Sequence, residues 1–206
     1  KTAYELLRSL VGSEMCIRDS LCTGNQGKVL ELKALLPKGI ELLSLADVGL
    51  PADLPETGAT LEANALQKAR FAHERTGLVC VADDTGLEVD ALAGAPGVHS
   101  ARYAGDLKDS MLNMAKLLEE LGGKEDRRAR FRTVIALVAS TGSHTFSGSV
   151  EGDITEELLG SGGFGYDPVF RPMGSELTFA QMDGSAKNGI SHRGIAVRQL
   201  VAYLRA

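Results

Sequence analysis

Short apolar runs alternate along the chain with segments whose apolar residues recur every three or four positions, the pattern of strands interleaved with amphipathic helices. A strand is predicted at Ser20–Thr23, a turn at Gly24–Gly27, and a helix over Lys28–Leu36 with Val29, Leu32, Leu35 and Leu36 on one face. Pro37 and Gly39 stop that helix. A second strand is expected at Ile40–Leu45, then a polar loop over Asp47–Gly58. Thr60–Arg75 reads as a long helix that turns Ala65, Ala69 and Ala72 inward and ends at Gly77. The unbroken run Leu78–Ala82 is a buried strand, and Leu87–Ala91 is placed beside it as another. Ala93–Asp106, with Gly94, Pro96, Gly97 and Gly105, is loop. Lys108–Leu121 is an amphipathic helix closed by Gly122 and Gly123. Arg130–Ala139 and His144–Ile154 form a hairpin about Thr141–Gly142, and Gly160–Gly165 is a glycine-rich loop. Val169–Arg171 is a short strand, and His192–Arg205 is the last helix, with Val197, Leu200, Val201 and Leu204 at helical spacing. The fold class is α/β, a mixed central sheet flanked by helices.

Composition narrows the choice of partner. The 206 residues are 44% hydrophobic and 24% charged, enough to bury a core as one domain. With 27 acidic and 22 basic groups the net charge is −5, which argues against nucleic acid as the main partner. A small phosphorylated ligand held with a divalent metal is compatible, because the metal supplies positive charge. No apolar run is long enough to cross a bilayer, so no membrane partner is expected. Three cysteines form neither a disulfide framework nor a zinc pattern, which points to a reducing cytoplasm. Glycine is abundant, at 24 residues, as in chains with tight loops around ligands.

Lys1–Ser20 stands apart. It fails as a signal peptide, because Arg8 breaks its apolar stretch and no small-residue cleavage site follows. The string resembles a translated sequencing-adapter read-through. It is expected to lie outside the fold, with a native start and the first residues of a strand overwritten just before Leu21, leaving residues 21–206 as a single domain.

Four clusters carry candidate chemistry. In TGNQGK, Thr23, Gly24, Asn25, Gln26, Gly27 and Lys28 lie between a strand and a helix, where backbone amides, the helix N-terminus and the lysine favour an anion; an ordinary turn is the plain alternative. Asp83 and Asp84 follow the Leu78–Ala82 run, at the end of a strand where α/β sheets bind ligands. Neighbours on a strand point to opposite faces, so one aspartate is expected to face a ligand and the other to bond a turn at Thr85–Gly86. Glu56 and Glu62 flank the start of the long helix, and Asn64 and Lys68 lie on it; hard carboxylates suit Mg²⁺ or Mn²⁺ rather than zinc. GSGGFGYDP, Gly160 to Pro168, brings backbone close to a flat ligand on which Phe164 or Tyr166 can stack, or else is a surface loop pinned by its aromatic pair. In KNGISHRG, Lys187 to Gly194, Ser191 caps the last helix and places His192 and Arg193 in its first turn, where they oppose the helix dipole unless a ligand collects both. A Ser–His–Asp triad is disfavoured because capping occupies Ser191. Gly123–Arg132 reads as a solvated basic loop entering a strand, and Cys22 and Cys80 as packing.

Together with ETGATLEANALQKAR (Glu56–Arg70) and ADDTGLEVDALAGAPGVHSARYAG (Ala82–Gly105), these motifs resemble the inosine/xanthosine triphosphate pyrophosphatase family from about Leu21 to the end. The resemblance implies an elongated two-lobed α/β domain with a cleft, usually a homodimer. It implies that Thr23–Lys28 hold the triphosphate, that Glu56 and Asp84 bind Mg²⁺, and that Asp84 also takes the proton of the attacking water. Thr85 stands where the family sets Ser or Thr against the substrate. The resemblance further implies that Phe164, Gly165, Tyr166 and Asp167 form one wall of the base pocket, completed by Lys187, His192 and Arg193, with Glu62, Lys68 and Asp83 in support. Two departures from the family pattern, Gln181 at a commonly acidic place and Asp183–Ala186 in place of an acidic helix-like stretch, fall outside the implied catalytic positions and would alter the rim of the implied pocket. The implied activity releases pyrophosphate from ITP, dITP and XTP. The alternatives are a pyrophosphatase of modified pyrimidine nucleotides and a nucleotide-binding sensor without turnover.

Overall fold

The computed structural model describes residues 17–21 and 40–205. Among these, seven strands hydrogen-bond in the order β2-β1-β3-β5-β6-β7, with β4 attached to β3. They are β1 (Ile17–Leu21), β2 (Ile40–Leu43), β3 (Cys80–Val89), β4 (Pro96–Gly97), β5 (Arg128–Ala139), β6 (Gly142–Ile154) and β7 (Phe170–Pro172). β1 runs parallel to β2 and β3, while β4 on β3 and β7 on β6 are antiparallel, so the sheet is mixed as expected. The helices are α1 (Leu61–Thr76), α2 (Ser110–Glu120), α3 (Gly184–Ile190) and α4 (His192–Arg205). The expected helix at Lys28–Leu36 lies outside the described residues.

Helix ends follow local chemistry. Thr60 Oγ1 accepts from the Ala63 N–H at 3.1 Å to start α1, and Gly77, at φ 70°, ends it by donating to the His73 carbonyl. Asp109 caps α2 in the same way, accepting from Met111 and Leu112.

Three expectations change. β1 begins at Ile17, so a boundary drawn after residue 20 cuts through a strand: a parallel ladder is made by backbone groups and accepts the Ile-Arg-Asp-Ser of that segment. Leu78–Ala82 and Leu87–Ala91 are not neighbours but parts of one ten-residue strand, and no turn separates them at Thr85–Gly86. The polar Asp-Asp-Thr that suggested a strand end lies inside β3, its two aspartates buried, and Leu87 pairs with Gly97 of β4. Finally, Asp183–Ala186, read as standing in place of a helix-like stretch, itself opens a helix: Asp183 caps α3, its carboxylate accepting from the Ala186 N–H at 2.8 Å.

Described residues form two compact units, one of residues up to Asp84 with Val134–Ser147 and those from Ala196 onward, the other of Thr85–Thr133 and Gly148–Ile195. β3, β5, β6 and α4 each begin in one unit and end in the other, so neither unit is a contiguous stretch of sequence. In the first unit, Ala196, Val197, Leu200 and Leu204 of α4 are buried with Val81, Ile135, Leu137 and Phe146. In the second, Met114, Leu117 and Leu121 pack with Leu87, Phe131 and Phe170. Among the described residues no helix is long and apolar enough to cross a membrane.

Candidate functional site

In the first unit the site is built on α1 and β3. Asn64 and Lys68 stand one helical turn apart on the buried face of α1 that also carries Ala65, Ala69 and Ala72. Lys68 Nζ donates to Asp84 Oδ1 at 3.0 Å and to Glu56 Oε1 at 2.7 Å. Asn64 Nδ2 donates to the other oxygen of Asp84 at 3.2 Å. Glu56 lies on a loop that is tied to the same helix: Thr57 and Gln67 exchange two hydrogen bonds of 3.0 Å, and the Gly58 N–H donates to Asn64 Oδ1 at 2.7 Å. Asp83 is buried beside Asp84, and Glu62 occupies the first turn of α1, where its charge suits the helix dipole.

Burial works against the Lys68 ammonium, but the carboxylates of Asp84, Glu56 and Asp83 outweigh it and hold its pKa above the usual lysine value. The lysine is therefore charged, and Glu56 and Asp84 converge on one cation. Their donor set is all carboxylate oxygen, which fits a hard divalent ion such as Mg²⁺. Among the described residues no group of three or more Asp, Glu, His or Cys side chains forms a complete cage. That is no obstacle to Mg²⁺, which is commonly held by one or two carboxylates, waters and substrate phosphates.

In the second unit the FGYD loop, α3 and the start of α4 meet. Asp167 Oδ2 accepts from the Phe164 N–H at 2.7 Å and from Lys187 Nζ at 2.8 Å, closing the loop and pairing the lysine in a buried setting. Gly163, at φ 70°, is needed there, because a Cβ would strike the Asp167 carboxylate. Gly165, at φ 64°, turns the chain between the two rings. Those rings part company: Tyr166 is core, donating its hydroxyl to the Ser100 carbonyl at 2.9 Å, whereas Phe164 remains half-exposed. Burial first, then the charge of nearby acidic groups, keeps the Tyr166 phenol protonated far into the alkaline range. Of the two candidate stacking rings, Phe164 is the one at the surface. Lys187 Nζ lies 4.6 Å and Arg193 Cζ 5.4 Å from its centroid.

Ser191 caps α4 as expected, its Oγ accepting from the Gly194 N–H at 3.0 Å. His192 and Arg193 follow, both buried. The His192 ring stacks on Phe131, with centroids 4.6 Å apart and planes at 19°. Arg193 Nη2 donates to Thr85 Oγ1 at 3.2 Å, and that hydroxyl also meets Thr133 Oγ1 at 2.7 Å. Phe131 and Thr133 alternate along β5, but nothing in the sequence tied them to residues so far along the chain.

Glu56, Lys68, Asp83 and Asp84 are thus brought together in one unit, with Glu62 on the same helix. Thr85, Phe164, Gly165, Asp167, Lys187, His192 and Arg193 gather in the other, with Tyr166 anchoring them from the core. Thr23, Gly24, Asn25, Gln26, Gly27 and Lys28 lie outside the described residues.

The first unit thus carries a buried carboxylate–lysine set, and the second carries Lys187, His192 and Arg193 about an aromatic cluster; the class is a mixed α/β protein. The chain belongs to the Ham1 family, whose sequence model matches residues 20–203. A dITP/XTP pyrophosphatase of Christiangramia forsetii is 54% identical over 182 residues, an overlap of 88% of this chain and 96% of that one. The protein of the same description from Porphyromonas gingivalis is 53% identical over 183 residues, covering 88% and 94%. A solved HAM1 protein structure from Coxiella burnetii superposes with a TM-score of 0.85 at 39% identity, covering 92% of this chain and 98% of that one. The family resemblance carried by the motifs is borne out.

Proposed function

We propose that this chain hydrolyses non-standard purine nucleoside triphosphates, dITP and XTP together with ITP, to the monophosphate and pyrophosphate. The descriptions of its relatives support the reaction, and one observation carries it at the site: Glu56 and Asp84 direct their oxygens at a single cation, 2.7 and 3.0 Å from Lys68 Nζ. Glu56 and Asp84 would hold Mg²⁺, with Mn²⁺ as a substitute, and the ion would offset phosphate charge and polarise the phosphoryl oxygens. Asp84 accepts the proton of the attacking water. The water oxygen bonds to phosphorus as the bridging P–O bond of the α–β anhydride breaks, and the electron pair leaves with pyrophosphate. Lys68 would donate to phosphate oxygens, and Thr23–Lys28 would bind the rest of the triphosphate.

Phe164 offers a face to the base. Lys187, His192 and Arg193 supply donors suited to the 6-oxo group of hypoxanthine and xanthine, which adenine replaces with an amino donor; such a mismatch can discriminate about 10⁴-fold. The purine reading is favoured over modified pyrimidines by this cationic, aromatic set. We place the working protein in the cytoplasm as a homodimer acting on free nucleotides.

The test is pyrophosphate release from dITP, XTP, ITP, GTP and ATP with and without Mg²⁺, beside Asp84→Asn. Release from the first three, little from GTP and ATP, and a loss of about 10²–10³-fold in the variant is expected. Folded protein that binds Mg²⁺-nucleotide tightly and releases no pyrophosphate is instead a sensor, and the enzyme reading fails.

A further inference from the structure

α1 is an alanine-faced helix, yet at position 64 it buries an amide. Burying an amide is unfavourable unless each polar atom finds a partner. Both atoms of Asn64 do. Its orientation is fixed by chemistry: the Gly58 N–H can only donate, so Oδ1 faces Gly58 at 2.7 Å, which turns Nδ2 to Asp84 Oδ2 at 3.2 Å. Gly58 lies two residues from Glu56, and its approach to the helix is too close for a side chain, since a Cβ would fall 2.6 Å from the Ala63 Cβ and 2.8 Å from Asn64 Oδ1.

One amide therefore touches both strands of the carboxylate arrangement, the backbone that carries Glu56 and the side chain of Asp84. Its contribution differs from that of Lys68. The lysine holds the same two residues through charge, and an arriving cation competes with it for the same oxygens. Asn64 is neutral and holds the Asp84 oxygen that Lys68 does not. It can keep the carboxylate plane and the loop in place whichever cation lies between them.

We propose that Asn64 is a positioning residue that sets the Asp84 carboxylate and the Glu56 loop in register with each other. The proposal rests on the pyrophosphatase reading for its kinetic consequence, and on the hydrogen bonds alone for its structural one.

The test uses the full chain with Asn64→Ala and Asn64→Asp. The aspartate is nearly isosteric and retains an acceptor for Gly58, but has no donor for Asp84. With dITP, kcat is expected to fall about 10–100-fold in both variants, as is usual when groups supporting a metal-binding carboxylate are removed. KM is expected to stay within about twofold, because the cluster about Phe164 is untouched. The half-saturating Mn²⁺ concentration, read by water-proton relaxation without substrate, is expected to rise by a similar factor. Amide exchange at Gly58 should quicken in Asn64→Ala and stay near the parent rate in Asn64→Asp. Folded variants with parental kcat and parental Mn²⁺ affinity would overturn the proposal, as would parental Gly58 exchange in Asn64→Ala. If the parent itself releases no pyrophosphate, the functional reading falls, while the exchange and Mn²⁺ measurements still decide the role of Asn64.

Discussion

Removing the carboxylate of Asp167 tests what holds the FGYD loop. Its Oδ2 accepts from both the Phe164 N–H and Lys187 Nζ, and both members of the ion pair are buried, at 3% and 6% exposure. Asp167→Ala removes the carboxylate 2.8 Å from the buried Lys187 ammonium and the acceptor of the Phe164 N–H. Breaking a buried pair from one side costs about 3–5 kcal/mol, more than the pair itself is worth. At about 2–4 °C per kcal/mol for a chain of this size, the melting temperature should drop by roughly 10 °C. The assay is thermal unfolding followed by circular dichroism, on the parent, Asp167→Ala, Lys187→Met and the double variant. The double variant should recover more than half of the loss, since no buried charge is then stranded. A single variant melting within about 2 °C of the parent, on the same scale, would refute the account. So would a double variant whose loss equals the sum of the two single losses, which would show that the pair is not coupled.

Two further predictions concern Lys68 and Gly152. Because the folded pKa of Lys68 lies above its unfolded value of 10.5, its stabilising contribution is complete below that pH and disappears as pH rises through the folded value. The parent should exceed Lys68→Met in urea resistance at neutral pH and the gap should narrow in strong alkali; a constant gap would show the lysine is not held by its carboxylates. Gly152 pairs with Pro172, and a Cβ there would meet the Arg171 carbonyl and come within 2.7 Å of Phe170 Cζ. Gly152→Ala should cost about 1–3 kcal/mol and loosen β7, measured by chemical unfolding and by exchange of the strand amides; parental stability would contradict the packing.

The sequence reading succeeds where a local signal decides the structure. The last helix runs His192–Arg205 as its apolar spacing indicates, with Ser191 as its cap, and the hairpin differs from expectation only by two extra residues at the start of each strand. It fails where distant partners decide. Asp83, Asp84 and Thr85 look like a strand terminus, but Lys68, which pairs with Asp84, and Asn64, which donates to it, lie on another element and give the buried carboxylate its partners inside β3. Asp183 begins a helix that Gly184 and Gly189 disguise. Phe164 and Tyr166 are equivalent candidates in sequence, and only the carbonyl of Ser100, sixty-six positions away, decides which one is core. The ring of Phe131 under His192 is likewise invisible until β5 and α4 are folded.

The ammonium of Lys68 has a practical consequence. It is a counter-ion carried by the chain, so Glu56 and Asp84 need no borrowed ion to tolerate one another. Small metal-dependent modules that lack such a resident charge unfold when chelated. Here a chelator can strip the solution of divalent ions and leave the carboxylates neutralised and in place. Its melting temperature is therefore expected to stay the same when divalent ions are stripped from the solution.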